Sequence, residues 1–200
     1  MGLTTVTRRR DAQRNHDALV AAAEVEFATS GPDVPLDAVV RRAGVGRGTL
    51  YRHFADRVDL AAAVYERYIA EHEAYLAEHG DEPDVAVRLL ARIVGVQART
   101  RGVMVIVARE PEGRERLRSL GDRTRAVCAR ALERSRTAGV VAPEVTVDDV
   151  LLVLGMVEGA LVGLPLDQAP AVAERVLRVV LPALTGGLAE DVPPLVDDGA

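Results

Sequence analysis

The chain has 200 residues, 48% of them hydrophobic and 28% charged, with a formal net charge of −5 and one cysteine. That hydrophobic share excludes a wholly disordered chain, and the length suffices for a small domain plus a larger one. Lone Cys128 excludes an internal disulfide and a cysteine-rich zinc site, and Arg8-Arg9-Arg10 lacks the apolar stretch of a secretory signal, so a cytoplasmic location without membrane insertion is expected.

Taken in chain order, the apolar spacing predicts a first helix over 11–29, with Leu19, Ala22, Ala23, Glu26 and Phe27 along one edge. Arg8, Arg9 and Arg10 ahead of it are either an arm along a nucleic-acid backbone or a solvated, frayed terminus. A second helix over 36–43 carries Leu36, Val39, Val40 and Ala43, and Gly44 can take the positive φ that ends it within one residue. A third follows over 47–54. Val45, Leu50 and Phe54 are spaced to pack inward, which leaves Arg47, Thr49, Tyr51, Arg52 and His53 facing out. Guanidinium, hydroxyl, phenol and imidazole groups suit phosphates and base edges, and Gly48, without a β-carbon, lets backbone approach a sugar-phosphate rail.

A long helix over 56–78 has Asp59 in its first turn and Leu60, Val64, Tyr65, Tyr68, Ile69, Tyr75 and Leu76 at inward or edge positions. Pro83 opens the next, with Leu89, Leu90, Ile93, Val94 and Val96, which runs until Gly102; a short apolar piece over 103–107 stops before Pro111. A helix over 112–138 has Leu117, Leu120, Thr124, Val127, Ala131 and Ser135 inside and ends at Gly139. The last two are expected over 148–163 and 170–184, and the Gly-, Pro- and Asp-rich tail is expected to be disordered. The apolar run within 150–166 holds Glu158 and precedes a Pro- and Asp-containing loop, so it reads as a buried helix. The fold class is all-α with about nine helical segments: an N-terminal three-helix domain with a helix-turn-helix over 1–55, a larger C-terminal helical domain over 56–186, and a tail over 187–200.

Charge distribution supports the head as the nucleic-acid end. Residues 1–55 hold eight Arg and six acids, whereas 56–200 hold seventeen Arg and twenty-four acids. Between 38 and 55, Arg41, Arg42, Arg47 and Arg52 stand with no acid among them.

From about Arg14 to Leu60 the sequence resembles the DNA-binding domain of the TetR family of transcriptional regulators. The resemblance rests on Ala21-Ala22-Ala23, Phe27 and Gly31, then Ala43-Gly44-Val45, Gly48-Thr49-Leu50-Tyr51 and His53-Phe54, with Arg57 as the basic residue after the recognition helix. The family often has Thr or Ser before its second helix and Ser opening the third, where this chain has Pro35 or Leu36 and Gly46. Those hydroxyl contacts do not carry over, although Pro35 suits a first-turn position and glycine is a tolerated N-cap. The resemblance implies Arg47, Gly48, Thr49, Tyr51, Arg52, His53 and Arg57 as DNA contacts. It also implies that 56–186 is an effector-binding and dimerisation domain, with a pocket among the middle helices whose occupant shifts the separation of two heads.

Two further features bear on the body. Val150, Leu151, Leu152, Val153, Leu154, Met156, Val157, Leu161 and Val162 cover most of one helix's circumference, and Val172, Val176, Val179, Val180 and Leu184 stripe the last. Pairing both helices with symmetry mates through Leu152, Met156, Val176, Val180 and Leu184 would bury them and match a palindromic operator with half-sites roughly 34 Å apart; an unusually well buried intrachain core is the alternative. For a small, largely apolar effector the candidate lining residues are Tyr65, Tyr68, Arg92, Met104 and Glu158. Arg88, Arg92 and Arg99 share a helical stripe that either meets an anionic ligand or is a solvated face.

No catalytic residue, metal site or cofactor is expected. His72-Glu73 begins a zincin-like pair, but Leu76 stands where the second His belongs, and His72 and His79 are seven residues apart. There is no phosphate-cradling loop, nucleophile elbow or cysteine pair. An architectural DNA-binding protein would need only the head, so a sensory regulator, a ligand-released repressor, accounts for more of the chain.

Overall fold

The computed structural model describes residues 3–31, 33–109, 111–165 and 167–187, with the side chains of 3–8, 101, 102, 104, 105, 108, 109, 111–114 and 117 outside the description. The expected disordered tail therefore lies almost wholly outside the described residues. Among those described there are eight helices and no strand: α1 (Leu3–Ser30), α2 (Leu36–Ala43), α3 (Arg47–His53), α4 (Arg57–His79), α5 (Val85–Arg109), α6 (Pro111–Thr137), α7 (Val147–Leu161) and α8 (Ala169–Leu184).

One expectation needs correction and a second shifts by two residues. Helix α1 starts at Leu3, so Arg8, Arg9 and Arg10 lie on helix and form neither an extended arm nor a frayed end. No glycine or proline separates Leu3 from Asp11, and arginine is a good helix former, so nothing in the sequence stops the helix at 11. The division expected at Gly102 falls two residues earlier, at Thr100, whose φ of −117° and ψ of 16° are not helical and break α5 into two helical stretches. Buried Thr100 donates its hydroxyl proton to the Val96 carbonyl at 2.7 Å, a back-bond that bends helices. Counted as one across that break, α5 makes the described helices eight; counted as two, they are the nine expected.

Two compact units emerge. One comprises Met1–Arg67 with Gly102–Arg118, the other Tyr68–Arg101 with Ser119–Ala200, so α4, α5 and α6 each contribute to both. In the first unit Leu19, Ala23, Phe27, Val39, Leu50, Phe54, Leu60 and Val64 are buried. Arg42 of α2 meets Glu26 of α1 at 2.7 Å, and Arg67 of α4 meets Glu24 of α1 at 2.7 Å.

In the second unit the core joins Leu76 of α4, Val85 to Ala98 of α5, Val127 to Leu132 of α6, and the inward faces of α7 and α8. Helix α7 starts at a capping box: the Asp149 N–H donates to Thr146 Oγ1, and the Thr146 N–H donates to Asp149 Oδ2 at 2.8 Å. Pro170 sits in the first turn of α8, where its missing N–H costs little, while Pro182 lies inside the last turn. No described helix is long and apolar enough to cross a membrane.

Candidate nucleic-acid interface

Local chemistry explains how α2, its turn and α3 are set. Gly44 takes φ 66° and ψ 27°, and two turn bonds close over it: its own N–H donates to the Arg41 carbonyl, and the Val45 N–H donates to the Val40 carbonyl, each at 3.3 Å. Gly46 is the N-cap of α3 without a side-chain cap, its carbonyl accepting from the Thr49 N–H at 2.9 Å. Pro35 is the N-cap of α2, one place outside the first-turn position expected for it, because its ψ of 134° is extended. Leu50 and Phe54 are buried and Val45 is half-buried, so the expected anchors face inward.

On the opposite side, Arg47, Gly48, Tyr51 and Arg52 are exposed, Tyr51 at 60%, while Thr49 and His53 are half-buried. A β-carbon at Gly48 would meet open space, so this turn of α3 presents bare backbone. Arg47 is ion-paired with Asp37 of α2, and this hydrogen bond raises its pKa above the usual arginine value. His53 lies edge-on to His16 of α1, ring centroids 5.9 Å apart, with Phe54 beside both rings. Burial, then the charges of His16 and Arg52, holds the His53 pKa below the ordinary histidine value.

Arg57 opens α4 half-buried, just after a reciprocal cap in which the Asp59 N–H donates to Asp56 Oδ1 at 2.8 Å and the Ala55 N–H donates to Asp59 Oδ2 at 3.0 Å. Arg116 of α6 also pairs with Asp59. Sequence reasoning passed over Asp37 and His16. The available signal for Asp37 was that it is the single acid between 36 and 54.

The residues assigned to an effector divide between the two units. Tyr65 belongs to the first unit; Tyr68, Arg92 and Glu158 belong to the second, and the side chain of Met104 lies outside the described ones. The Arg92 guanidinium lies 4.5 Å from the centroid of the Tyr75 ring, which itself stacks on His79 at 4.5 Å. Arg88 is paired with Asp84 at 2.8 Å on an exposed face. Burial raises the Glu158 pKa, and its Oε2 is buried without a hydrogen-bond partner among the described residues. Among the described side chains, none of Tyr65, Tyr68, Arg92 and Glu158 lines the apolar cavity of about 20 Å³ in the second unit, which is walled by Val87, Leu90, Cys128, Leu132, Val150 and Leu181 among others. Burial there pushes the Cys128 thiol up to about 12.

Of the residues assigned to a dimer, Leu152 is 63% and Met156 49% exposed, and Val176 and Val180 are half-buried. Leu184 is already buried within its own chain, against the same apolar cavity. Val162 and Val179, each 72% exposed, extend the uncovered apolar surface of the last two helices.

Residues 19–64 match the model of bacterial regulatory proteins of the tetR family. Over 60 residues the chain is 35% identical to an HTH-type transcriptional regulator of Staphylococcus aureus strain N315, a match covering 30% of this chain and 32% of that protein. The chain thus spans about a third of the length of the curated relatives it matches. A TetR transcription regulatory protein from Mycobacterium vanbaalenii aligns with a TM-score of 0.68 at 27% identity, over 88% of this chain and 98% of that one. A protein from Saccharomonospora viridis solved in complex with choline shares the fold at a TM-score of 0.56 and 16% identity, over 82% of this chain and 94% of that one.

Proposed function

The chain belongs to the TetR family of bacterial transcriptional regulators, and on that premise we propose that it works in the cytoplasm as a homodimeric repressor released from a palindromic operator by a small molecule. The observation that carries the DNA-binding part is the exposed face of α3, where Arg47, Tyr51 and Arg52 stand clear of a head anchored by buried Leu50 and Phe54. Thr49, His53 and Arg57 flank that face, and bare backbone at Gly48 admits a phosphate rail. A single seven-residue helix reads few base pairs, so specificity calls for a second copy presenting its own α3 about one DNA turn away.

The second copy has a surface to dock on. Leu152, Met156, Val162 and Val179 are large apolar side chains left in water by the isolated chain, and a two-fold pairing of α7 and α8 would cover them. Glu158, at the edge of that helix with an unsatisfied oxygen, would then meet either a cation of the partner copy or a cationic effector.

Release follows from a ligand that prefers the form unable to bind DNA. Moving that equilibrium from nearly full to nearly empty takes about 5.5 kcal/mol of differential affinity, within reach of a small apolar molecule. Helix α4 suits the role of transmitter, because it belongs to the head up to Arg67 and to the second unit from Tyr68. The solved relative with choline is a protein of this fold that takes a small ligand. For this chain the apolar wall around Cys128 supports an effector with little charge, bound by helices that part to admit it.

The test is selection of bound duplexes from a random pool by the full-length protein, then titration of the enriched sequence at two salt concentrations. The expected outcome is a palindrome whose affinity falls steeply with salt. Binding without any enriched motif would replace this reading with an architectural one.

A further inference from the structure

Between 36 and 54 the head carries four arginines and a single acid, Asp37. Arg42 is tied to Glu26 of α1 at 2.7 Å. Arg41 and Arg52 are exposed, and among the described residues neither has an acid partner. Arg47, the first residue of α3, donates from Nη2 to Asp37 Oδ2, a carboxylate held in the first turn of α2. The side chains of this pair are 71% and 40% exposed, so the pair sits on the open face of the head and is available to a ligand.

A guanidinium has five N–H donors in a fixed planar fork. One edge can hold a carboxylate while the other presents two parallel donors to the O6 and N7 acceptors of guanine. A phosphate makes a different demand. If Arg47 turned to close on a phosphate, Asp37 would be left uncompensated beside the backbone's negative charge, and repulsion would oppose that contact. A base edge is uncharged and incurs no such opposition. Arg41 and Arg52, unencumbered by acids, suit the phosphates.

We propose that Asp37 is a positioning and specificity-determining residue, which buttresses Arg47 so that its guanidinium reads a guanine edge instead of collapsing onto a phosphate. This rests on the DNA-binding reading above and divides the arginines of the head: Arg47 specifies, Arg41 and Arg52 hold the backbone.

The test uses the full-length protein, the duplex enriched by selection, that duplex with each base pair changed in turn, and a random duplex. Dissociation constants at two salt concentrations are measured for the unmodified chain, Asp37→Asn, Arg47→Ala and the double variant. Asp37→Asn is expected to lose about tenfold in discrimination at one symmetry-related G·C pair, within the range of a bidentate base contact. The same variant is expected to bind random duplex more tightly, with a salt slope steeper by about one, as Arg47 becomes free for a phosphate. Arg47→Ala should lose discrimination at that same pair, and the double variant should lose no more there than Arg47→Ala alone.

Unchanged discrimination at every position in Asp37→Asn overturns the proposal. So does equal weakening on all duplexes, which is what a merely structural Asp37 would produce. An unmodified chain that enriches no motif removes the operator reading together with this one, whereas an enriched motif read equally well by Asp37→Asn removes this one alone.

Discussion

Ser135 of α6 accepts a hydrogen bond from the backbone N–H of Ala86 at 3.0 Å, across 49 residues of sequence. Ala86 is the second residue of α5, so a buried hydroxyl from another helix caps α5 in place of a local Ser, Thr, Asp or Asn. The carbonyl of the same Ser135 accepts from the N–H groups of Val140 and Val141, at 2.9 and 3.3 Å, after the helix has ended. One residue thereby ties the start of α5, the end of α6 and the following turn. Ser135→Ala removes the partner of the half-buried Ala86 N–H and should cost about 1 kcal/mol, read as a lower urea midpoint with unchanged slope.

Gly80 is needed for space. A β-carbon there would fall 1.3 Å from Nη1 of Arg134 and 2.6 Å from the Leu76 carbonyl oxygen. The Arg134 guanidinium occupies that gap, donating from Nη1 to the Leu76 carbonyl at 3.4 Å near the end of α4. Gly80→Ala should lower stability by about 1–3 kcal/mol. Adding Arg134→Ala should recover only part of it in a thermal melt, since the flexible side chain can be removed but the carbonyl remains.

His53 sets a pH dependence for the head. Its pKa is held below the ordinary value by burial first, then by the charges of His16 and Arg52. As pH falls below about 6.5 the unfolded chain takes up the proton before the folded one does. Stability complete above that pH is therefore lost as pH falls through the depressed folded value. Melting temperatures measured between about pH 7 and pH 5 should decline with acidification, and His53→Gln should flatten the slope. An unaltered slope in the variant would assign the decline to other groups.

Leu152→Glu tests the dimer without disturbing the protomer. Leu152 is 63% exposed in the single chain, so a carboxylate there meets water unless a second copy covers it. Sedimentation should give monomers with unchanged helicity, because an uncompensated charge in an apolar interface costs several kcal/mol. A persisting dimer would move the interface away from Leu152.

The family and the helix-turn-helix were legible because their signals are local. Gly44, Leu50 and Phe54 fix a turn and a buried face through positive φ and a four-residue step, and both depend on neighbours a few positions away. Helix periods likewise placed α2 to the residue and α3, α4, α6, α7 and α8 to within about two at each end. Where a signal was weak, the reading slipped: no breaker marked the true start of α1, and the division expected at Gly102 falls at Thr100, which no turn-forming residue marks.

Sequence alone determined the all-α class, the family resemblance of residues 19–64 and which side of α3 faces out, since periodicity and turn chemistry are properties of short segments. Only the tertiary structure decided that Arg47 is held by Asp37, that Ser135 caps a helix 49 residues away, that Gly80 makes room for Arg134, and that Leu184 is covered within its own chain while Leu152 is not. Each of these depends on which helices meet and at what register, and a hydrophobic stripe specifies that a face is buried without specifying the partner that buries it.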